Sequence, residues 1–309
     1  MLAFILICSL GFAESKEMAV QICLDQRNFS CNTIDGRWGG KSERALKDYS
    51  RLRLKDPDAA GPDGPAEAYD RWFGSSGRLF KLHTVTEADL AALVEIPADP
   101  AAKADLDLMG YETIPEMFAE RGHMSRRAFE RMNPGVDWKH VKPGTQVILP
   151  SFPSIESLLE RGYRARTPQP LDSEATLVKI SLSRFEITAY NAHGRLLAHF
   201  PCSIAKDKAK VPQGELSITT LIPNPNYTYT SETRRRNGKP VRHIFPPGPN
   251  NPVGVAWMGL SLPGYGIHGT PNPESVGCAE SHGCFRLANW NAARLFSMVR
   301  VGTRVVITP

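Results

Sequence analysis

Ile267-His268-Gly269-Thr270 and, downstream of it, Ser281-His282-Gly283-Cys284-Phe285-Arg286-Leu287 are the two segments on which the reading of this chain turns. A thiol is a useful nucleophile only as thiolate, so it needs an imidazole or another positive influence beside it. His282 stands two residues before Cys284, and His268 closes an upstream stretch with strand character; both are candidates for that task. Gly283 removes a side chain next to the thiol, which permits a tight turn and the close approach of a substrate backbone. Its amide and that of Cys284 are candidates to face a developing oxyanion. Arg286, two positions beyond the thiol, offers a two-pronged hydrogen bond to a carboxylate, the group that a free-acid peptide carries. The chemistry these residue types suit is acyl transfer through a covalent intermediate, with no cofactor required.

Around this centre the sequence has a period of two. Leu177-Val178-Lys179-Ile180-Ser181-Leu182, Arg184 to Tyr190 and Leu196 to Phe200 alternate as strands do, with Asn191-Ala192-His193-Gly194 as a hairpin turn. Leu216 to Thr220, Gly264 to His268 and Arg304 to Ile307 add further strands, and only Trp290 to Arg300 reads clearly as helix. The C-terminal half is expected to be mainly β.

These residues together resemble the signature of the L,D-transpeptidases with a YkuD-type catalytic domain. Asn289, Leu295, Val299, Gly302-Thr303-Arg304-Val305 and Val211-Pro212-Gln213-Gly214 extend the resemblance over residues 175–309. The departures are Cys202, Val211 before Pro212, Cys278 within the spacer between the two segments, and an insert around Thr233-Arg234-Arg235-Arg236-Asn237-Gly238 that is placed to cover the cleft. The resemblance implies a β-sandwich in which Cys284 is the nucleophile, His268 its general base held by a backbone carbonyl near Gly269, and His282 a residue that shapes the site. Gly269, Ser281, Gly283 and Arg286 become the substrate and oxyanion residues. It further implies that the thiolate attacks the carbonyl of the third residue of a peptidoglycan stem and releases the terminal D-alanine. The acyl group then passes to an amine, as a 3-3 crosslink or a link to an envelope protein. Carbapenems, which mimic the donor peptide, are the expected inhibitors.

The N-terminal half carries small modules. Residues 18–55 hold Val20, Ile22 and Leu24, then Ile34-Asp35-Gly36-Arg37-Trp38-Gly39, then Ala45, Leu46 and Tyr49 at helical spacing, a pattern similar to small peptidoglycan-binding domains. Residues 56–110 begin with Pro, Gly, Asp and Ala in turn-rich order and are expected to be linker and unassigned chain, apart from a helix start capped by Thr86. Residues 111–150 predict two short helices, Pro115 to Arg121 and Arg126 to Met132, then Asn133-Pro134-Gly135 and a strand after Lys142-Pro143-Gly144-Thr145. This resembles a LysM module whose opening strand is not evident. The fold class expected is multidomain α+β, with the mainly β catalytic domain preceded by small helical and LysM-like segments.

With 309 residues, 41% of them hydrophobic, the chain can bury more than one core. Its formal charge of +5 gives a mild attraction to anionic polymers that a cell wall satisfies as well as a nucleic acid, and nothing else calls for nucleic acid. Residues 2 to 12 are apolar and precede Ala13, which reads as a signal peptide over residues 1–13 and places the mature chain in the periplasm or envelope, without a membrane span. No Lys or Arg precedes the apolar run, and Ile7 before Cys8 argues against lipidation. Removing Cys8 leaves five cysteines; Cys23 with Cys31, and Cys202 with Cys278, are the pairs open to disulfide formation. Three rival readings stay open. A zinc site of Cys278, His282 and Cys284, with His268 as a fourth candidate, has suitable ligand types at a spacing that fits no common structural site. The others are an inactive wall-binding protein and an L,D-carboxypeptidase that uses water as acceptor. A papain-like order is excluded, because there the thiol precedes the histidine.

Overall fold

Ser15 caps the first helix, its hydroxyl accepting from the Met18 amide at 3.2 Å. That helix, α1 (Lys16–Asp25), packs on α2 (Gly40–Leu54), and Gly36 at φ 73° makes the turn between them, its amide donating to Gln21 Oε1 at 2.9 Å. The computed structural model describes residues 15–54, 60–74, 79–163, 170–207, 211–236, 239–281 and 283–309, so the expected signal peptide and His282 lie outside the described residues. The stretch expected to be linker is in part helical. Gly64 adopts φ 107°, Pro65 then opens α3 (Pro65–Ala68) at the helix position where a missing amide proton is harmless, and a π-helical turn follows over Tyr69–Phe73. Ala68 and Phe73 complete the core of α1 and α2 with Val20, Leu24, Phe29, Ala45, Leu46 and Tyr49.

A second unit opens with β1 (Phe80–Thr84), followed by α4 (Glu87–Ala91), α5 (Pro100–Ala104), α6 (Ile114–Arg121), α7 (Arg126–Met132) and β2 (Gln146–Pro150). Thr86, Thr113 and Ser125 cap α4, α6 and α7. β1 pairs antiparallel with β2 from Phe80 opposite Pro150 to Thr84 opposite Gln146, so the opening strand absent from the sequence reading exists. It was hidden because its side chains are only half-buried or exposed, which blurs the alternation, and because its partner lies beyond four helices. Asn133 joins the end of α7 to β2, its Nδ2 donating to the Phe129 and Ile148 carbonyls and its Oδ1 accepting from the Ile148 amide.

After α8 (Ile155–Tyr163) the chain becomes β: β3 (Leu177–Ser181), β4 (Glu186–Tyr190), β5 (Leu196–Pro201), β6 (Ile204–Ala205), β7 (Gly214–Pro223), β8 (Tyr227–Arg236), β9 (Lys239–Phe245), β10 (Ala256–Leu260), β11 (Gly266–His268), β12 (Ala279–Ser281), β13 (Phe285–Arg286), then α9 (Asn289–Met298) and β14 (Arg304–Thr308). Eight strands form one sheet in the order β13-β11-β10-β7-β14-β3-β4-β5, with β13 parallel to β11 and β14 parallel to β3. The insert forms a separate ribbon, β8 with β9, on which the rings of Tyr227, Tyr229 and Phe245 cluster. The sheet's outer edge at β5 is not left open: Ser30 donates to the His199 carbonyl and His199 donates to that of Asn28, both at 2.9 Å, so the N-terminal unit covers it.

The three units meet on α9, which is buried from Asn289 to Phe296. Arg294 Nη1 donates to Asp25 Oδ1 at 2.6 Å, and His123 Nδ1 donates to the same oxygen at 2.8 Å. The His123 ring lies flat between Phe152 (centroids 3.9 Å apart) and Trp290 (5.0 Å). Burial pulls His123 down to about 4, so it is neutral at pH 7; burial pushes Asp25 up, but Arg294 and His123 outweigh it and bring that carboxyl to about 2. Both shifts act in one direction. Below pH 6.5 the unfolded chain protonates His123 before the folded one does, and below 3.8 it does the same at Asp25, so the cluster's contribution is present above pH 6.5 and is lost in acid. Arg294→Met, which leaves Asp25 buried with one partner, is expected to cost about 3–5 kcal/mol. The measurement is the urea midpoint at pH 7, and an unchanged midpoint would show that the cluster does not hold the units together.

Candidate active site

The sheet presents two faces to different surroundings. Ile267, Met258 and Phe285 point into the core under α9. On the opposite face, register alone sets up a row: Ile222 pairs with Trp257, Trp257 with His268, and His268 with Arg286. Cys284 lies in the bend that leads into β13, two residues before Arg286, which pairs with His268 on the neighbouring strand. β13 is held from both sides, since Arg286 and Ser203 exchange their amide-to-carbonyl hydrogen bonds at 2.9 Å.

His268 is 6% exposed, and its Nδ1 donates to the Gly269 carbonyl at 2.6 Å, which leaves Nε2 as the ring's basic nitrogen. Its ring stacks on Trp257, with centroids 5.6 Å apart and planes 18° apart. Burial pulls His268 down to about 4, the Gly269 carbonyl opposes this, and the Arg286 charge adds to it. The Cys284 sulfur is half-buried and donates to the Gly264 carbonyl at 3.6 Å. Burial pushes its thiol above the ordinary range, while the Gly266 amide and Arg286 pull the other way. The resting pair is therefore neutral thiol and neutral imidazole.

The remaining candidates divide. Gly283 packs beneath Tyr265, whose ring lies 3.2 Å from where a Cβ would stand. Gly269 is wedged against Gly254 and Asn289, leaving no room for a side chain. Ser281 ends β12, which runs parallel to β6, and His282 lies outside the described residues. Two wall residues escaped the sequence reading, Trp257 and Tyr265. Both were within reach of it, since Tyr265 stands three residues before His268 and Trp257 lies in a glycine-flanked apolar stretch, but the reading turned on histidine, cysteine and arginine side chains.

Among the described residues the cysteines form no disulfide, so neither Cys23 with Cys31 nor Cys202 with Cys278 is joined. Burial pushes Cys31 and Cys202 well up, which makes them inert core groups. Half-burial beside an arginine, rather than being left over from disulfide pairing, sets Cys284 apart. Among the described residues the group whose geometry suits a metal ion is Asp48, Glu186 and His199, far along the sheet at β4 and β5. Arg51 on Asp48 (2.9 Å), Arg184 on Glu186 (2.9 Å) and Arg44 near Glu186 (3.8 Å) already supply the positive charge there, and the cluster reads as an ion-pair network between α2 and the sheet.

The N-terminal unit also reaches the loop that enters the active-site segment. Lys41 Nζ donates to the Val276 carbonyl, and Asn32 Nδ2 donates to that of Pro273 at 2.9 Å.

Comparison with known proteins places this geometry. Residues 175–307 match the YkuD family, described as the L,D-transpeptidase catalytic domain. The chain is 30% identical over 194 residues to YkuD of Bacillus licheniformis, a protein assigned to the L,D-transpeptidases; the match spans 63% of this chain and 93% of that one. It is 31% identical over 164 residues to YkuD of Bacillus subtilis, covering 53% and 85%. Among solved structures, an L,D-transpeptidase from Mycobacterium smegmatis aligns with a TM-score of 0.34 at 21% identity, over 43% of this chain and 58% of that chain.

Gly266 allows the Trp257 ring to lie across β11, 2.6 Å from where a Cβ would stand. Gly266→Ala is expected to displace the indole, red-shift its fluorescence and speed the reaction of Cys284 with a neutral disulfide reagent severalfold. Unchanged emission and labelling would show that Trp257 does not wall the site.

Proposed function

Because this chain belongs to the L,D-transpeptidase family with a YkuD catalytic domain, we propose that it transfers acyl groups between peptidoglycan stem peptides through Cys284. The observation that supports this reading is the pairing of His268 with Arg286 on two parallel strands, two residues beyond Cys284, with Nδ1 of His268 held by the Gly269 carbonyl.

His268 Nε2 takes the thiol proton as sulfur attacks the carbonyl of the third stem residue. The tetrahedral oxyanion faces the amides of Gly283 and Cys284, with His282 shaping the site and Ser281 beside it. The intermediate collapses, the carbon–nitrogen bond to D-alanine breaks, and the imidazolium returns its proton to the leaving amine, which leaves a thioester on Cys284. An acceptor amine then attacks the thioester, gives its proton to His268 and carries off the acyl group as a new amide, which regenerates the thiol. Arg286 is suited to a carboxylate of the donor. Trp257 and Ile222, the latter 45% exposed, supply an apolar floor on which the stem can lie.

A stem amine as acceptor gives a 3-3 crosslink, a lysine of an envelope protein gives an anchored protein, and water gives a trimmed stem. In the same reading the chain works in the periplasm or envelope. No helix among the described residues is long and apolar enough to cross a membrane. The N-terminal helical unit and the unit from Phe80 to Pro150, four helices between two paired strands, serve to hold the enzyme on the glycan.

The test is intact-protein mass after mixing with a carbapenem. A stable adduct is expected on wild type and none on Cys284→Ala, and His268→Ala is expected to slow acylation by about 10²–10⁴. His268 must be neutral to accept a proton, so the rate is expected to hold as pH falls and to drop only near pH 4. A folded wild-type protein that forms no adduct would favour an inactive wall-binding protein.

A further inference from the structure

Asn289, the first residue of α9, connects the second unit to His268. Its Nδ2 donates to Glu120 Oε1 at 3.2 Å, to Oε2 at 3.3 Å and to the Pro249 carbonyl at 3.0 Å, while its Oδ1 accepts from the Val255 amide at 3.3 Å. That same Oδ1 is pressed against the backbone of Gly254 and Gly269, and a Cβ on either glycine would collide with it. The Gly269 carbonyl in turn holds Nδ1 of His268.

The two ends of an amide side chain have nearly the same shape, and only their partners decide which end faces which way. Both Glu120 oxygens and the Pro249 carbonyl take Nδ2 on the side toward α6, which leaves Oδ1 toward Val255 and Gly269. Glu120 is buried, and among the described residues Asn289 and Tyr111 meet it with side-chain donors; the Tyr111 hydroxyl donates to its Oε1 at 2.9 Å. Its other charged neighbours, Glu116 and Glu156, are of like sign, and burial, reinforced by them, pushes it up to about 7. A carboxylate kept there at such electrostatic cost marks a constraint that an apolar residue would not supply. The surrounding contacts are built to the same end. Met109 donates to the Pro247 carbonyl at 2.8 Å, and Asn250 Nδ2 donates to the Gly110 carbonyl and Glu116, so the loop carrying Pro249 and Gly254 is clamped to the second unit.

We propose that Glu120 is a positioning residue for the transfer reaction: through Asn289 it fixes the backbone at Gly254 and Gly269, and with it the ring of His268. The proposal rests on the reading of His268 as the base. It makes α6 part of the catalytic apparatus and gives the second unit a role beyond binding glycan.

The test uses full-length Glu120→Ala, Glu120→Gln and Tyr111→Phe, with two readouts: the rate of carbapenem acylation and the ring ¹⁵N shifts of His268. Glu120→Ala is expected to slow acylation at least tenfold and to shift the His268 nitrogens away from the pattern of a single Nδ1–H tautomer. Glu120→Gln keeps an acceptor oxygen for Asn289 and is expected to restore most of both. A folded Glu120→Ala with wild-type acylation and wild-type shifts overturns the proposal. If that variant does not fold, Tyr111→Phe, which removes one hydrogen bond, is expected to move both readouts in the same direction by a smaller amount, and no movement overturns it equally. A wild type that is not acylated would sink the functional reading, while the ¹⁵N shifts would still decide whether Glu120 positions His268.

Discussion

The single carboxylate of Asp25 holds this molecule in one piece. It comes from the N-terminal unit, accepts from His123 of the second unit and from Arg294 of the β domain, and is fully buried. Removing a charge from water costs several kcal/mol, and that cost is offset only where the partners are exact in position. The cluster therefore tolerates little sliding of one unit on another. The flat stack of Phe152, His123 and Trp290 reinforces this, because the imidazole that donates to Asp25 is also the middle layer between two rings from different parts of the chain. A neutral histidine serves both purposes; a charged one would add a second cation beside Arg294.

The consequence runs along α9. Asn289 meets Glu120 and Gly269, Trp290 meets His123, Asn291 Nδ2 donates to Ser30, Arg294 meets Asp25, and Phe296 packs on Gly162. A helix so engaged on all sides cannot show the one-sided apolar stripe of a surface helix. It begins two residues beyond β13, so whatever fixes α9 also bears on the strand that follows Cys284. The N-terminal unit adds contacts at the other end of the active-site segment through Lys41 and Asn32. The nucleophile is thus bracketed by two units that are remote from it in sequence.

This distribution explains what could be read from the sequence. The thiol, its histidines and the β character of residues 177–200 were legible because they depend on residue type and local alternation, and the capped helices at Thr113 and Ser125 because capping is local. Pro65–Phe73 was lost among turn residues, since its helix is earned by burying Phe73 in a core made by distant helices. β10 was missed because Gly254 and Gly259 interrupt its apolar pattern, and the β8–β9 ribbon because its arginine-rich composition looks like a solvated loop. Nothing local could reveal Glu120. A Glu near the end of an amphipathic helix reads as surface, and only Asn289, far along the chain, makes it a buried acceptor.

Burial of the reacting pair has a further consequence for the chemistry. It raises the thiol and lowers the imidazole, so the ground state holds no ion pair to be solvated or to react with stray electrophiles. In the proposed reaction charge then has to be created during attack, as the proton moves to His268 and negative charge passes through sulfur to the carbonyl oxygen. Fixed dipoles contribute most at that moment, because they need no reorganisation. The Gly269 carbonyl, aimed at Nδ1, becomes a stronger partner once the ring is cationic. Arg286 opposes the cation but favours the anion, so its net effect depends on a substrate carboxylate to absorb its charge.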